Sequence, residues 1–267
     1  MQLTTESRRI VRHVDEDFES MRKVGRLAAE ILDMITNHVV PGVSTDTLDH
    51  LCLQMTLDNG ATPAPLGYNG FPKSICTSIN HVVCHGIPSN RRLEEGDIVN
   101  IDVTVILDGW YGDTSRMYLV GEKISVKARR LVDVTYDAMM LGIEAISPVM
   151  RLGAIGHCIQ AFAEANSFSV VRDFCGHGLG RTFHTVPSVL HYGQAEQGIC
   201  LEKGMFFTVE PMVNAGKSSV KILSDGWTAV TRDRSLSAQF EHSVGVTETG
   251  FEIFTLSPNG YTKPPYL

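Results

Sequence analysis

The sequence has little of what marks membrane, secreted and nucleic-acid-binding proteins. No stretch approaches the roughly 18 apolar residues of a transmembrane helix, and Met1–Ser20 has no apolar core of the kind that a secretory signal requires. Lys and Arg number 23 against 30 acidic residues, a net charge of −7, and they form no dense basic cluster. We therefore expect a cytoplasmic protein with no membrane span and no nucleic-acid groove.

The sequence also lacks any C-x-x-C pair, so a zinc knuckle is not expected. Its six cysteines are scattered at positions 52, 76, 84, 158, 175 and 200. A chain of 267 residues with 43% apolar content can bury a core without disulfides, and free thiols agree with a reducing compartment. We predict a single domain over residues 1–267.

What the sequence does have is helix and hairpin patterning. Apolar residues at helical spacing predict helices over about 14–40, 45–59, 126–146 and 152–166. Asp108-Gly109 predicts a two-residue turn between strands over 98–107 and 110–119, and further strands cluster between 205 and 254. These elements predict an α+β fold, with antiparallel sheet flanked by helices.

The two halves of the chain share short strings in the same order. LEEG and LEKG each precede a predicted strand, and the carboxylates of Asp102 and Glu210 follow six residues after their glycines. We interpret this as a duplication, with halves at about 14–120 and 126–257. A pseudo-twofold axis between the halves would bring carboxylates from both of them to one site.

Asp102 and Asp113 are predicted to face the same side of the first hairpin. With Asp108-Gly109 as the turn, residue 104 lies opposite residue 113, and residues 102 and 104 share a face because side chains alternate along a strand. Such diagonal neighbours lie roughly 7–8 Å apart, so their carboxylates could share two metal ions roughly 3.5–4 Å apart. For this pair alone, an aspartate that faces solvent or caps a turn is the simpler explanation.

Glu210 and Glu241 interrupt two apolar strands predicted over 206–213 and 239–246. An unpaired buried charge costs several kcal/mol, so four such carboxylates need a common counter-charge, which two divalent cations would supply. His177, within the glycine-rich segment GHGLG, is the predicted nitrogen donor. One imidazole and four carboxylates favour Mn²⁺, Fe²⁺ or Co²⁺, and Zn²⁺ would also bind such a set.

These residues and their neighbours resemble the type I methionine aminopeptidases, in the short bacterial form. The motifs are NIDV at Asp102, GDTS at Asp113, GHGLG at His177, VEPM at Glu210 and QFEH at Glu241, and the resemblance extends from about residue 10 to 257. It implies a single catalytic domain with the pita-bread fold, a pseudo-twofold α+β arrangement. It also implies a monomer that removes the N-terminal initiator methionine from peptides and nascent chains, before a small second residue and in proximity to the ribosome.

The resemblance also implies roles for individual residues. The family's ligands for two divalent ions are matched by Asp102, Asp113, His177, Glu210 and Glu241, of which Asp113 and Glu241 would bridge both ions. Glu210 also matches the proton shuttle, His184 the histidine at the scissile bond, and His85 the histidine near the second substrate residue. The wall of the methionine pocket is matched by Tyr68, Phe71, Cys76, Phe183 and Trp227.

Three positions depart from the common bacterial pattern. Pro65 stands where a cysteine often lines the pocket, and His81 stands where a glutamate usually precedes Val-Val-Cys-His. Thr185-Val186 replaces the acidic residues that commonly follow His184. None of these departures affects a metal ligand, but they leave open the preference beyond the methionine side chain.

Three alternatives stay open from the sequence. A proline-specific aminopeptidase or creatinase-like enzyme shares the fold but usually carries a large extra N-terminal domain. A non-enzymatic binding protein of this fold usually loses metal ligands. A structural Ca²⁺ module would use more backbone carbonyls and no imidazole.

Overall fold

Four α-helices flank antiparallel sheets in the computed structural model, which describes residues 10–266. The helices are α1 (Asp15–Ile35), α2 (Thr45–Asp58), α3 (Val126–Glu144) and α4 (Gly153–Ala165), with short 3-10 turns at Thr36–His38 and Tyr68–Gly70. In the first half the strands are β1 (Thr62–Pro63), β2 (Cys76–Ile79), β3 (Val82–Cys84), β4 (Ile98–Leu107) and β5 (Trp110–Leu119). In the second half they are β6 (Ser169–Val170), β7 (Gly176–Gly178), β8 (Thr185–Val189), β9 (Phe206–Val209), β10 (Met212–Asn214), β11 (Val220–Ile222), β12 (Ala229–Thr231), β13 (Ser237–Gln239), β14 (His242–Val246) and β15 (Phe251–Ile253).

The four predicted helices are confirmed, and local capping explains where two of them begin. Ser44 and Ser125 precede α2 and α3, and each hydroxyl accepts a hydrogen bond from a backbone N–H in the first turn. The prediction was wrong at the end of α1, which stops at Ile35 rather than near residue 40. The chain continues there as the 3-10 turn Thr36–His38, and Pro41 disfavours helical geometry in Val40 beyond it.

The β4–β5 hairpin has the predicted register. Thr104 lies opposite Asp113, and Asp102 lies opposite Ser115. Asp108 and Gly109 form the turn with φ of 52° and 77°, the positive values that a two-residue hairpin loop of this twist requires. Asp102 and Asp113 are therefore diagonal neighbours on one face, as the alternation of side chains predicts.

The strands predicted over 206–213 and 239–246 are each broken at the carboxylate, which corrects the prediction. β9 and β14 pair within a five-stranded sheet of order β15-β14-β9-β7-β8, whereas β10 and β13 pair within a three-stranded sheet with β6. Glu210-Pro211 and Phe240-Glu241 are the crossings between these two sheets. Pro211 has no N–H to continue a ladder, so Glu210 projects from a crossing rather than from the face of a strand.

The buried core separates into two large clusters. One packs α1 and α2 against β4 and β5, and the other packs α3 and α4 against strands of the second half. The order of two helices and then strands in each half agrees with a duplication, which stays a prediction, as does the single-domain boundary.

All six cysteines are free thiols, and none of the helices within residues 10–266 is long and apolar enough to span a bilayer.

Candidate active site

A cavity of about 390 Å³ lies where the two halves meet. Residues from both halves line it, and they include every site residue expected from the sequence: Tyr68, Phe71, Cys76, His85, Asp102, Asp113, His177, Phe183, His184, Glu210, Trp227 and Glu241. Residues as far apart in the chain as Tyr68 and Glu241 thus line one cavity. The cavity is large enough for a side chain together with the peptide bond that follows it.

Asp102 and Asp113 extend into the cavity from β4 and β5. Thr104, opposite Asp113 in the ladder, donates its hydroxyl proton to Oδ1 of Asp113 over 2.6 Å. The hydroxyl of Ser243 donates to the backbone carbonyl of Asp113 over 2.6 Å, which ties the hairpin to β14. Asp113 is therefore held from both halves, with Oδ2 free to face the cavity.

His177 is held in β7 by close backbone packing. A Cβ atom on Gly176 would lie 2.3 Å from the carbonyl oxygen of Thr208, and one on Gly178 would lie 2.1 Å from that of Val186, so both flanking positions require glycine. Nδ1 of His177 lies 3.1 Å from the carbonyl oxygen of Gly178. Because a carbonyl only accepts, Nδ1 carries a proton and donates it.

The other ring nitrogen of His177 faces acidic side chains. Nε2 lies 3.5 Å from Oδ2 of Asp113 and 3.7 Å from Oε1 of Glu210. Ligand atoms of Asp113, His177 and Glu241 all lie within 4.8 Å of one another. A neutral imidazole would direct its lone pair at these oxygens, so the arrangement needs a cation or a proton between them.

Glu210 and Glu241 reach the cavity from the two sheet crossings. Thr208 donates its hydroxyl proton to Oε1 of Glu210 over 2.7 Å, and the same hydroxyl accepts from the backbone N–H of His177. Gln239 donates to Oε2 of Glu210 over 3.3 Å. Glu241 is buried, and its backbone forms a two-way bridge with Ser115 of β5.

Burial makes it costly to ionise these carboxylates together. The protein around Asp102 and Glu241 raises the pKa of each well above its usual value, and neighbouring carboxylates raise it further. Burial raises the pKa of Glu210 to about 7, although His177 and the Thr208 hydroxyl oppose the shift. Burial alone would lower the pKa of His177, but its hydrogen bond to Asp113 and the charge of Glu210 outweigh burial and raise it.

An aromatic recess adjoins this acidic wall. Trp227 packs edge-on against Phe71 with ring centroids 5.2 Å apart, and Tyr68 lies 4.9 Å from Phe183. Cys76 pairs with Asp102 across β2 and β4, so its thiol lines the recess beside the acids. The cavity thus combines a carboxylate cluster with a narrow apolar slot.

His85 and His184, which form no ion pair with a carboxylate within residues 10–266, also line the cavity. His85 has a positive φ of 55°, and burial lowers its pKa. Burial and the neighbouring His177 lower the pKa of His184 to about 4, so this imidazole is neutral near pH 7. Both rings are therefore able to donate a hydrogen bond from one nitrogen and accept at the other.

Comparison with known proteins identifies the family. The model of metallopeptidase family M24 matches residues 19–248. A methionine aminopeptidase from Rickettsia prowazekii is 62% identical over 256 residues, which cover 95% of this chain and 98% of that protein. The Escherichia coli methionine aminopeptidase is 54% identical over 243 residues, covering 90% and 92% of the two chains. The chain belongs to the methionine aminopeptidases of family M24.

Solved structures agree with this family and with its fold. The R. prowazekii methionine aminopeptidase matches with a TM-score of 0.92 at 61% identity, covering 92% of this chain and 100% of that one. A prolidase from Pyrococcus furiosus shares the fold at a TM-score of 0.74 and 20% identity, with 66% of that chain covered. The expected pita-bread fold and the expected enzyme class are confirmed. The likeness to prolidase shows a common fold only.

The family is one of metallopeptidases, so a divalent metal ion is part of the enzyme. The residues present fit such an ion. The four carboxylates and His177 line one cavity, in which ligand atoms of Asp113, His177 and Glu241 lie closest together. Among residues 10–266 no Lys or Arg forms an ion pair with Asp102, Asp113, Glu210 or Glu241. The individual ligand, catalytic and pocket roles stay predictions.

Several side chains that support the site were not predicted. Thr104 and Thr208 each stand two positions from a carboxylate on the same strand or crossing, and side-chain alternation could have indicated them. The fully buried His191 accepts from the backbone N–H of Glu210 over 3.1 Å, and burial lowers the pKa of its ring to about 3. No local pattern marks His191, because it reaches Glu210 only through the tertiary fold.

Proposed function

We propose that this enzyme hydrolyses the first peptide bond of peptides and nascent chains that begin with methionine, and that it prefers a small second residue. One observation carries the proposal: the carboxylate cluster and the aromatic recess line the same cavity of about 390 Å³. The identity to methionine aminopeptidases over more than nine-tenths of the chain supports the same reaction.

Two divalent ions, Mn²⁺, Fe²⁺, Co²⁺ or Zn²⁺, are the proposed cofactors. Their ligands would be Asp102, Asp113, His177, Glu210 and Glu241, with Asp113 and Glu241 shared between the ions. When bound, such ions polarise a carbonyl group and lower the pKa of water. The convergence of ligand atoms from Asp113, His177 and Glu241 supports the centre of this set.

Glu210 is the proposed proton shuttle. Oε1 accepts from Thr208 and Oε2 from Gln239, so the carboxylate keeps a fixed orientation at the cavity wall. In the metal-free protein, burial raises the pKa of Glu210 to about 7, and a bound cation would lower it toward the range of an ionised base that accepts a proton. Glu210 would take the proton of the attacking water and deliver it to the leaving amine.

His184 and His85 are proposed to act at the scissile bond and near the second substrate residue. His184 is neutral at pH 7 and can donate to the substrate carbonyl oxygen, where negative charge develops. His85 packs against Trp227 and Phe174, with ring centroids 6.1 and 5.6 Å away. The crowding by these rings would leave room for a small second residue.

The recess is proposed to hold the methionine side chain. Its members would be Tyr68, Phe71, Cys76, Phe183 and Trp227. An unbranched thioether fills a narrow slot and gains roughly 0.3–1.5 kcal/mol from each contact of sulfur with an aromatic ring. A β- or γ-branched side chain lacks the flexibility to follow the same path.

Three peptides test the proposal: Met-Ala-Ser, Leu-Ala-Ser and Met-Lys-Ser. We expect kcat/KM to be highest for Met-Ala-Ser, because only this peptide combines a first residue that fits the slot with a second residue small enough for the crowded region near His85. Equal values for Leu and Met at the first position would refute the methionine slot. Efficient cleavage before Lys would refute the crowding and would point to Thr185 and Val186, which replace acidic residues there.

Cytoplasmic location, a monomeric state and proximity to the ribosome also belong to this proposal. The location and the proximity follow from the substrate, because initiator methionine is exposed as a nascent chain leaves the ribosome, whereas the monomeric state follows from the family resemblance. Sedimentation of the purified protein alone and with ribosomes would test the last two. A stable dimer, or cosedimentation no greater than that of an unrelated protein of equal charge, would contradict them.

A further inference from the structure

A hydrogen bond joins His184 to Tyr68 across the two halves of the molecule. Nδ1 of His184 lies 3.0 Å from the hydroxyl oxygen of Tyr68. Tyr68 begins the 3-10 turn Tyr68–Gly70, where its N–H donates to the carbonyl of Pro65 and its carbonyl accepts from the N–H of Phe71. The hydroxyl is thus presented by a fixed turn of the first half to a histidine of the second half.

The aromatic neighbours restrict the rotation of the His184 ring. Phe183 stacks on it with centroids 4.0 Å apart, and Tyr68 lies 5.2 Å away. On its outer side Phe183 stacks on Tyr111 of β5 at 5.5 Å, a residue outside the cavity lining. His177 lies 4.2 Å from the His184 ring on the cavity side. A rotation of the ring out of its present plane would disrupt these contacts, and a half-turn within that plane would move Nδ1 away from the Tyr68 hydroxyl.

The direction of the Tyr68–His184 bond decides which ring nitrogen carries the proton. If Nδ1 donated, the phenolic proton would have no other protein acceptor within residues 10–266, and Nε2 would present only a lone pair. If the phenol donates instead, both groups use their polar atoms and the imidazole proton lies on Nε2. A phenol is also the better donor and an imidazole nitrogen the better acceptor of the two.

We propose that Tyr68 is a positioning residue whose hydroxyl donates to Nδ1 of His184, which places the imidazole proton on Nε2, where it faces the substrate carbonyl. This rests on the proposed role of His184 and adds a second role to Tyr68 beside its ring in the methionine slot. The ring would contribute to substrate binding, whereas the hydroxyl would contribute to turnover through His184.

Steady-state kinetics on Met-Ala-Ser with Tyr68→Phe, His184→Ala and the double variant separates these roles. Removal of one oxyanion donor typically costs roughly 10²–10³-fold in kcat, so we expect about that loss for His184→Ala. Tyr68→Phe keeps the ring, and we expect kcat to fall on the order of tenfold while KM changes less than about threefold. In the His184→Ala background, Tyr68→Phe should lower kcat by less than about twofold, because the hydroxyl would have nothing left to orient.

Tyr111→Phe is the matched control. It also removes a phenolic hydroxyl beside Phe183, and that hydroxyl has no hydrogen bond within residues 10–266, so we expect kcat within about twofold of wild type. A rise in KM alone for Tyr68→Phe, or equal losses in both backgrounds, would overturn the positioning role. Wild-type turnover by His184→Ala would instead overturn the proposed function of His184.

The ¹⁵N chemical shifts of histidine in the Zn²⁺-loaded enzyme give a readout independent of activity. The His184 signals are identified by their loss in His184→Ala. We expect wild-type His184 at pH 7 to carry its proton on Nε2, and Tyr68→Phe to populate both tautomers. A proton on Nδ1 in the wild type, or unchanged shifts in Tyr68→Phe, would refute the inference whatever the kinetics show.

Discussion

Two groups of enclosed acids in this molecule differ in how their charge is balanced. Asp33 of α1 accepts from the guanidinium Nη1 of Arg116, from the hydroxyl of Ser257 and from the backbone N–H of Asn259. Arg116 is only 2% exposed, so this pair is sealed inside the protein. Among the described residues, only His177 lies within ion-pair distance of any of the active-site carboxylates, Asp102, Asp113, Glu210 and Glu241.

The difference explains what each group is for. Asp33 is saturated with donors and fastens the C-terminal segment and β5 to α1, so its charge contributes to the fold. Asp113 and Glu210 are oriented by hydroxyl and amide donors, but within residues 10–266 no Lys or Arg pairs with any of the four carboxylates. Burial and mutual repulsion therefore raise the pKa of Asp102 and Glu241. A binding site for cations must leave that charge unbalanced until the ion arrives.

Withdrawal of the metal is the largest perturbation that separates the two groups. We expect exhaustive chelation to reduce hydrolysis of Met-Ala-Ser to the background rate, and Mn²⁺, Fe²⁺ or Co²⁺ to restore it. The Asp33–Arg116 pair needs no ion, so the chelated protein should still unfold cooperatively, at a lower Tm because a bound ligand is lost. Full activity in a protein shown by metal analysis to be empty would refute the metal centre.

Substitution of Glu210 by Gln tests one acid of the unbalanced group. We expect kcat to fall by about 10²–10⁴-fold, the usual contribution of a general base, while binding of Met-Ala-Ser stays within a few-fold. The measurement must be made at equal metal occupancy, since Glu210 is also a proposed ligand. Glu196→Gln, an exposed change of the same kind, should leave kcat unaltered. Near-normal turnover of Glu210→Gln would assign the proton transfer to another group.

Removal of Arg116 tests the balanced group. Arg116→Met leaves Asp33 buried without its cation, and breaking such a pair costs about 3–5 kcal/mol of unfolding free energy. Denaturant unfolding would measure this, and kcat of the folded fraction should stay within about twofold. The double variant Asp33→Asn, Arg116→Met should recover part of the loss. A loss below about 1 kcal/mol in the single variant would mean that the pair is not needed for the fold.

Asp102→Asn in the metal-free protein gives the smallest expected effect and the sharpest contrast with Arg116→Met. Burial and the neighbouring carboxylates raise the pKa of Asp102 when no metal is bound, which favours its neutral form, so a neutral amide of similar shape should change the unfolding free energy by less than about 1 kcal/mol. With metal present the same variant should bind the ion more weakly. A large loss of stability in the metal-free variant would show that the charge of Asp102 supports the fold.

Local sequence patterns were sufficient for the helices, the β4–β5 hairpin and the placement of Asp102 and Asp113 on one face. Side-chain alternation and the positive φ of Asp108-Gly109 involve residues close in the chain, so the register followed from the spacing alone. The motifs around His177, Glu210 and Glu241 identified the family, because each combines an ionisable residue with neighbours that are unusual around it. Residue chemistry and order thus determined the fold class and the kind of reaction.

Only the tertiary structure decided where the chain crosses between sheets and what holds the reactive groups. The breaks at Glu210 and Glu241 arise because β9 and β14 pair in one sheet while β10 and β13 pair in another. His191 beneath Glu210, Tyr68 beside His184 and Arg116 beside Asp33 have no signature in the neighbouring sequence. The last two contacts join residues more than 80 positions apart, and such contacts depend on the packing of whole elements, which no local periodicity encodes.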